Sequence, residues 1–91
     1  MAALKHRIQF YSSLATLESA GVPPLRAFAQ RMPGAYQKAS ADILVLLKRG
    51  QTLAEAMACF PRLFSPLEIS LVQVGEITGH RDTIYLALRD W

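Results

Sequence analysis

Residues 65–79 read SPLEISLVQVGEITG and contain the start and stop signals of one complete helix. Ser65 can cap the first turn, Pro66 fits the first helical position, and Glu68 can reach back to the cap. Gly79 suits a left-handed C-cap, because glycine has no side chain to clash at positive φ. This stretch therefore predicts a helix with both of its ends defined by local chemistry.

Glycines divide the rest of the chain in the same way. Gly21, Gly50 and Gly79 each follow a segment with apolar residues at helical spacing, and equal intervals of 29 residues separate them. We expect each glycine to end one helix and to begin the turn into a second. Only the spacing of the glycines recurs, and the side chains between them do not repeat. A compact bundle is therefore favoured over a solenoid.

Two of the segments after these glycines begin with helix-starting residues. Pro23 follows Gly21, and Thr52 with Glu55 forms a capping-box pattern after Gly50. We predict an all-α fold, a compact antiparallel bundle of about six helices arranged as three helical hairpins. The expected helices cover residues 4–20, 24–31, 35–49, 53–59 and 66–78, with a sixth from residue 81. Strand alternation is absent from the sequence.

The amino-acid composition excludes several classes of protein. The 91 residues are 52% hydrophobic and 19% charged, which excludes a disordered polar tail. The mean hydropathy of +0.19 is slightly high for a lone domain and indicates a partner surface or a neighbouring membrane segment. No apolar run approaches the roughly 18 residues of a membrane span. A single cysteine, Cys59, excludes an intramolecular disulfide and a multi-cysteine zinc site.

Charge is distributed unevenly along the chain. Residues 1–50 hold seven basic and two acidic groups, whereas residues 51–91 hold three basic and five acidic groups. Nucleic acid, anionic lipid headgroups or complementary faces in an assembly would each fit this asymmetry. A small basic helical nucleic-acid-binding domain is therefore an alternative, although no helix carries the dense basic stripe of a recognition helix and the sequence has no asparagine.

Candidates for catalysis are few. His6 and His80 lack a second histidine at the spacing of a helix-borne metal pair. Neither a Gly-x-Ser-x-Gly elbow nor a glycine-rich phosphate loop occurs, and Cys59 is interpreted as a small core residue at the end of an apolar helix. We therefore expect no catalytic residues and a protein that is not an enzyme.

Gly75 and Glu76 form the most informative polar cluster. A glycine inside a helix costs about 0.5–1 kcal/mol relative to alanine, so Gly75 indicates a close approach of two helices. Glu76 has three chemical options: an ion pair with Arg81, a hydrogen bond to a neighbouring helix, or ligation of a hard divalent cation. A packing glycine beside a surface glutamate is an equally good interpretation.

Three ordered blocks resemble the type II secretion system F domain. Residues 10–23, FYSSLATLESAGVP, resemble its opening, and residues 50–57, GQTLAEAM, resemble its middle motif. The third block begins at Phe60-Pro61 and ends in residues 74–79, VGEITG. Together the blocks cover nearly the whole chain in the expected order.

This resemblance implies a cytoplasmic domain, residues 1–91, cut from a larger polytopic platform protein of the bacterial inner membrane. Such platforms serve type II secretion or type IV pilus assembly. The implied partners are the assembly ATPase, other inner-membrane apparatus proteins and a second copy of the domain, with no nucleic acid. The resemblance also implies a divalent cation, such as calcium, at a domain contact, with Glu76 as its candidate ligand. We assign Lys48 and Arg49 as candidate partner-binding residues.

Overall fold

The computed structural model describes residues 3–91, and this part of the chain contains six helices and no strand. They are α1 (Leu4–Ser19), α2 (Pro24–Ala27), α3 (Tyr36–Lys48), α4 (Leu53–Met57), α5 (Pro66–Thr78) and α6 (Arg81–Asp90). The predicted all-α class is confirmed. None of the described helices has both the length and the apolar character that a bilayer crossing requires.

The helices pack as three hairpins. Each glycine turn joins two helices in contact, namely α1 with α2, α3 with α4, and α5 with α6. Contacts between α2 and α3 and between α4 and α5 connect the hairpins. Since α1 also packs extensively along α6, the first and last helices close the bundle. The predicted hairpin arrangement is confirmed.

The three hairpin glycines form one type of C-cap. Gly21, Gly50 and Gly79 have φ angles of 80°, 89° and 76°, in the left-handed region that favours glycine. After each glycine, the next N–H donates to the carbonyl oxygen five positions earlier, as in a Schellman motif. These bonds are Val22 N–H to Leu17 O (2.9 Å), Gln51 N–H to Leu46 O (3.1 Å) and His80 N–H to Gly75 O (3.0 Å).

Both predicted capping boxes are present. Thr52 Oγ1 accepts from the Glu55 N–H (3.1 Å), and Glu55 Oε1 accepts from the Thr52 N–H (2.8 Å). At the start of α5, Ser65 Oγ accepts from the Glu68 N–H (3.2 Å) and Glu68 Oε2 accepts from the Ser65 N–H (2.6 Å). Two helix starts are thus fixed by side chains three residues apart.

Aromatic rings from several elements meet at the centre of the core. Phe10 of α1 stacks on Tyr36 of α3, with ring centroids 4.1 Å apart and an interplanar angle of 11°. Tyr11 and Phe28 pack edge-on against the ring of Phe10, and the ring of Phe64 lies tilted beside it. Because these residues come from four separate segments, the core holds the hairpins together.

The second helix is shorter than predicted. It ends at Ala27 rather than near residue 31, because the backbone after Ala27 forms tighter turns. Ala29 N–H and Gln30 N–H donate to carbonyl oxygens three residues earlier, not four. Ala29, which follows the end of α2, and Leu25 within the helix are both exposed.

The interpretation of Cys59 as a core residue is wrong. The fourth helix ends at Met57, and Cys59 follows in a turn in which its N–H donates to Ala56 O (3.1 Å). Its thiol is exposed, donates to the Glu55 carbonyl oxygen at 3.8 Å, and lines an open groove of about 430 Å³. The apolar residues that suggested burial belong to α4, which ends two residues before Cys59.

Candidate functional site

Glu76 caps the N-terminus of a neighbouring helix. Its Oε2 accepts from the Leu53 N–H (2.8 Å) and its Oε1 from the Ala54 N–H (3.0 Å). These are the first two N–H groups of α4, which have no partner within that helix. A carboxylate at this position also complements the positive end of the helix dipole. Of the options left open by the sequence, the hydrogen bond to a neighbouring helix is therefore present.

Gly75 allows α6 to lie close against α5. A Cβ at this position would lie 2.9 Å from Ile84 Cγ1 and 3.3 Å from Arg81 Cα, closer than ordinary packing allows. The predicted close approach of two helices is confirmed. The same residue provides the carbonyl oxygen of the Gly79 cap. Gly75 thus fixes how α5 meets α6, while Glu76 beside it fixes how α5 meets α4.

Arg81 pairs with a different glutamate from the one suggested by the sequence. Its Nε donates to Glu18 Oε1 (3.0 Å) and its Nη2 to Glu18 Oε2 (3.1 Å), so the pair is bidentate. The hydrogen bond to Glu18 raises the pKa of Arg81 further above its ordinary value. This pair joins the first turn of α6 to the last turn of α1. Since 63 residues separate the partners, no local pattern indicates the pair.

A buried hydrogen bond joins α1 to α5. The Tyr11 hydroxyl donates to Glu68 Oε1 at 2.7 Å, and the Glu68 residue is only 3% exposed. Burial first, and then this hydrogen bond, raise the pKa of Tyr11 well above its ordinary value of 10.0. Glu68 therefore acts twice, as the glutamate of a capping box and as the acceptor of a core tyrosine. Sequence reasoning identified only the first role.

Glu76 lies outside any cluster of metal-binding side chains among the described residues. Within residues 3–91, no group of three or more histidine, cysteine, aspartate or glutamate side chains is placed to hold a metal ion. Both oxygens of Glu76 already accept backbone N–H groups, although each keeps a second lone pair. Glu76 alone therefore does not form a cation site, and calcium binding there stays a prediction.

The outward side of α5 is exposed and uncharged. We define the α5 face as its exposed residues, which are Pro66, Leu67, Ser70, Gln73, Val74, Ile77 and Thr78. Ile77 is 77% exposed and Val74 is 50% exposed. Both carboxylates of the helix, Glu68 and Glu76, bond to groups inside the domain instead. The surface of a thirteen-residue helix is thus left without a single charge.

Such a surface is unusual for a helix in contact with water. Apolar residues on all sides of a helix are typical of helices that are buried all round, but α5 is covered on one side only. Depletion of charged side chains is also the compositional mark of the centre of a protein interface. The α5 face is therefore our candidate interaction surface.

Lys48 and Arg49 lie exposed at the C-terminal end of α3. Their position complements the negative end of the helix dipole, which gives them a structural role independent of any partner. Neither side chain forms an ion pair with another residue in the range 3–91. Both cations are thus available at the surface, as their assignment as partner-binding residues requires.

Comparison with known proteins places this fold in a family. The family model described as type II secretion system (T2SS), protein F, matches residues 10–91. The chain belongs to the type II secretion system protein F family. The match spans α2 to α6 and most of α1, and it includes Glu76, both capping boxes and the three hairpin glycines.

Two curated relatives of this F-family domain are named for different systems, type 4 fimbrial assembly and type II secretion. The type 4 fimbrial assembly protein PilC of Pseudomonas putida is 40% identical over 77 residues, covering 80% of this chain and 19% of the relative. The type II secretion system protein F of Aeromonas hydrophila is 33% identical over 82 residues, covering 86% of this chain and 21% of the relative. The chain therefore spans about a fifth of the length of these relatives.

Proposed function

We propose that this F-family domain is a non-enzymatic docking scaffold in the platform of a type II secretion or type IV pilus system. Family membership and the names of its relatives support a role in secretion or pilus assembly. The observation that carries the docking role is the uncharged, exposed α5 face. In this proposal the domain lies on the cytoplasmic side of the inner membrane, within a longer membrane protein.

The proposed partners of the α5 face are other inner-membrane proteins of the apparatus, or a second copy of the domain. An uncharged surface discriminates against charged partners, because burying an unpaired charge against it is costly. We expect the contact to depend on Val74 and Ile77, the most exposed branched side chains of this face.

For the assembly ATPase we propose a separate contact at Lys48 and Arg49. These exposed cations suit an acidic surface, and charges of this kind mainly steer association and set its rate. The two contacts lie on different helices, α5 and the end of α3, so each can be tested without the other.

Binding measurements with the purified domain test both contacts. Ile77→Asp is expected to weaken binding to apparatus proteins or to a second copy by about tenfold or more. Leu25→Asp is the matched control, since Leu25 is an exposed leucine on α2. Lys48→Glu with Arg49→Glu is expected to slow association with the ATPase, and Arg26→Glu with Arg31→Glu is its charge-matched control. Unchanged binding of both test variants to every partner would exclude the docking role.

A further inference from the structure

A second cluster, in which four of five residues are exposed and Arg7 is half-buried, lies where α1 begins and α6 ends. We define the Trp91 patch as Leu4, Lys5, Arg7, Ile8 and Trp91. The Cζ of Arg7 lies 4.9 Å from the centre of the Trp91 ring, so the aromatic side chain sits beside the first turns of α1. Leu4 is 62% exposed, Trp91 54% and Ile8 39%, so three apolar side chains of the patch face the solvent.

Lys5 is not explained by the stability of α1, whereas Arg7 is half-buried and lies over the Trp91 ring. Lys5 lies in the first turn of the helix, where the dipole is positive and a cation is unfavourable. That turn has no acidic residue and no side-chain cap to compensate. Within residues 3–91, neither Lys5 nor Arg7 takes part in an ion pair. Their placement therefore suits an anionic group outside the described chain.

The combination of side chains identifies the kind of partner. Tryptophan prefers the boundary between water and hydrocarbon, because its ring is apolar and its N–H is polar. Leucine and isoleucine beside it supply apolar area, while lysine and arginine extend their stems along such a surface and keep their charges at the level of phosphate groups. We propose that the Trp91 patch binds the surface of a bilayer that contains anionic phospholipids.

This surface differs in chemistry from the α5 face. The α5 face carries no charge, whereas the Trp91 patch contains exposed Lys5 and half-buried Arg7 together with three exposed apolar side chains. An acidic protein would satisfy the cations but leave Leu4, Ile8 and Trp91 in need of an apolar cover. An anionic bilayer supplies both. The inference is independent of the docking role of the α5 face, and either can fail without the other.

The protein contains its own probe for the test, since Trp91 is the single tryptophan of the chain. The emission of Trp91 is recorded as vesicles are added, either phosphatidylcholine alone or phosphatidylcholine with phosphatidylglycerol. A blue shift with the anionic vesicles alone, together with sedimentation of the domain with them, is expected. Each cation contributes about fivefold to the affinity, so Lys5→Glu with Arg7→Glu should weaken binding by more than 25-fold.

Arg26→Glu with Arg31→Glu is the control, because it makes the same change in net charge at exposed positions away from the patch. Lys5→Glu alone is the second variant, in case the double substitution disturbs the fold, and Arg26→Glu is its match. Equal losses in test and control variants would overturn the proposal, since they would show attraction by net charge only. An unshifted Trp91 emission with anionic vesicles, or a shift with duplex DNA or an acidic protein but not with vesicles, would also overturn it.

Discussion

The two sides of α5 use the same helix for different purposes. The inner face, formed by Glu68, Val72, Gly75 and Glu76, has every carboxylate engaged, with Tyr11 and with the start of α4. The α5 face has no charged group, and the hydroxyl of its Thr78 donates within the same helix, to Val74 O. The residues that stabilise the domain and those of the proposed docking surface are thus separated by less than half a turn of helix, so substitutions on the two sides should have different consequences.

Gly75→Leu should produce the largest loss of stability. The new side chain would overlap Ile84 and the backbone of Arg81, and overpacking of this kind costs about 2–3 kcal/mol. Ser70→Leu introduces the same residue on the outward side of the same helix and should change the free energy of unfolding by less than about 0.5 kcal/mol. Urea unfolding followed by circular dichroism measures both, and similar losses would contradict the assignment of the two faces.

Glu76→Ala should have the next largest effect. It removes the acceptor of two N–H groups at the start of α4, and a hydrogen bond to a charged group contributes about 1.5–3 kcal/mol. We expect a loss of about 2 kcal/mol, a smaller loss for Glu76→Gln, and faster amide exchange at Leu53 and Ala54. Gln73→Ala, on the outward side, is the control. Unchanged exchange at the two amides in Glu76→Ala would show that the cap contributes nothing.

Alkaline pH should weaken the inner face. A tyrosine whose pKa is raised by folding keeps its proton after the unfolded chain has lost it, so its contribution is full below pH 10 and is lost as the pH rises further. Burial raises the pKa of Tyr36 to about 12 and raises that of Tyr11 even further. Above pH 10 the unfolding free energy falls as the pH rises, and Tyr11→Phe should make this fall shallower by about 1.4 kcal/mol per pH unit. Identical slopes in both proteins would contradict this.

Calcium should have the smallest effect on the domain alone. Glu76 is a single carboxylate with both oxygens already bonded, so we expect a second domain to supply the other ligands of any cation site. We expect calcium to raise the Tm by a degree or two at most in dilute solution, but more at concentrations at which domains associate. Glu76→Gln should remove this concentration dependence. A calcium effect of equal size at every protein concentration would exclude a site between domains.

Local chemistry accounts for what the sequence predicted correctly. The three glycine caps, both capping boxes and the close approach at Gly75 depend on residues within a few positions of one another. The Tyr11–Glu68 and Glu18–Arg81 contacts join residues 57 and 63 positions apart, so only the packed bundle reveals them. The α5 face was missed for a related reason, because an apolar residue such as Val74 gives no sign of which side is covered.

One pair of neighbouring substitutions tests the separation of roles most directly. Glu76→Gln and Ile77→Asp change adjacent residues about 100° apart around the helix, one bonded to α4 and one exposed. Each variant is measured for both unfolding free energy and binding to apparatus partners. Glu76→Gln should lose stability and keep partner affinity, whereas Ile77→Asp should keep stability and lose affinity. The central claim would be contradicted if both variants lost stability, or if Ile77→Asp bound every partner as tightly as the unmodified domain.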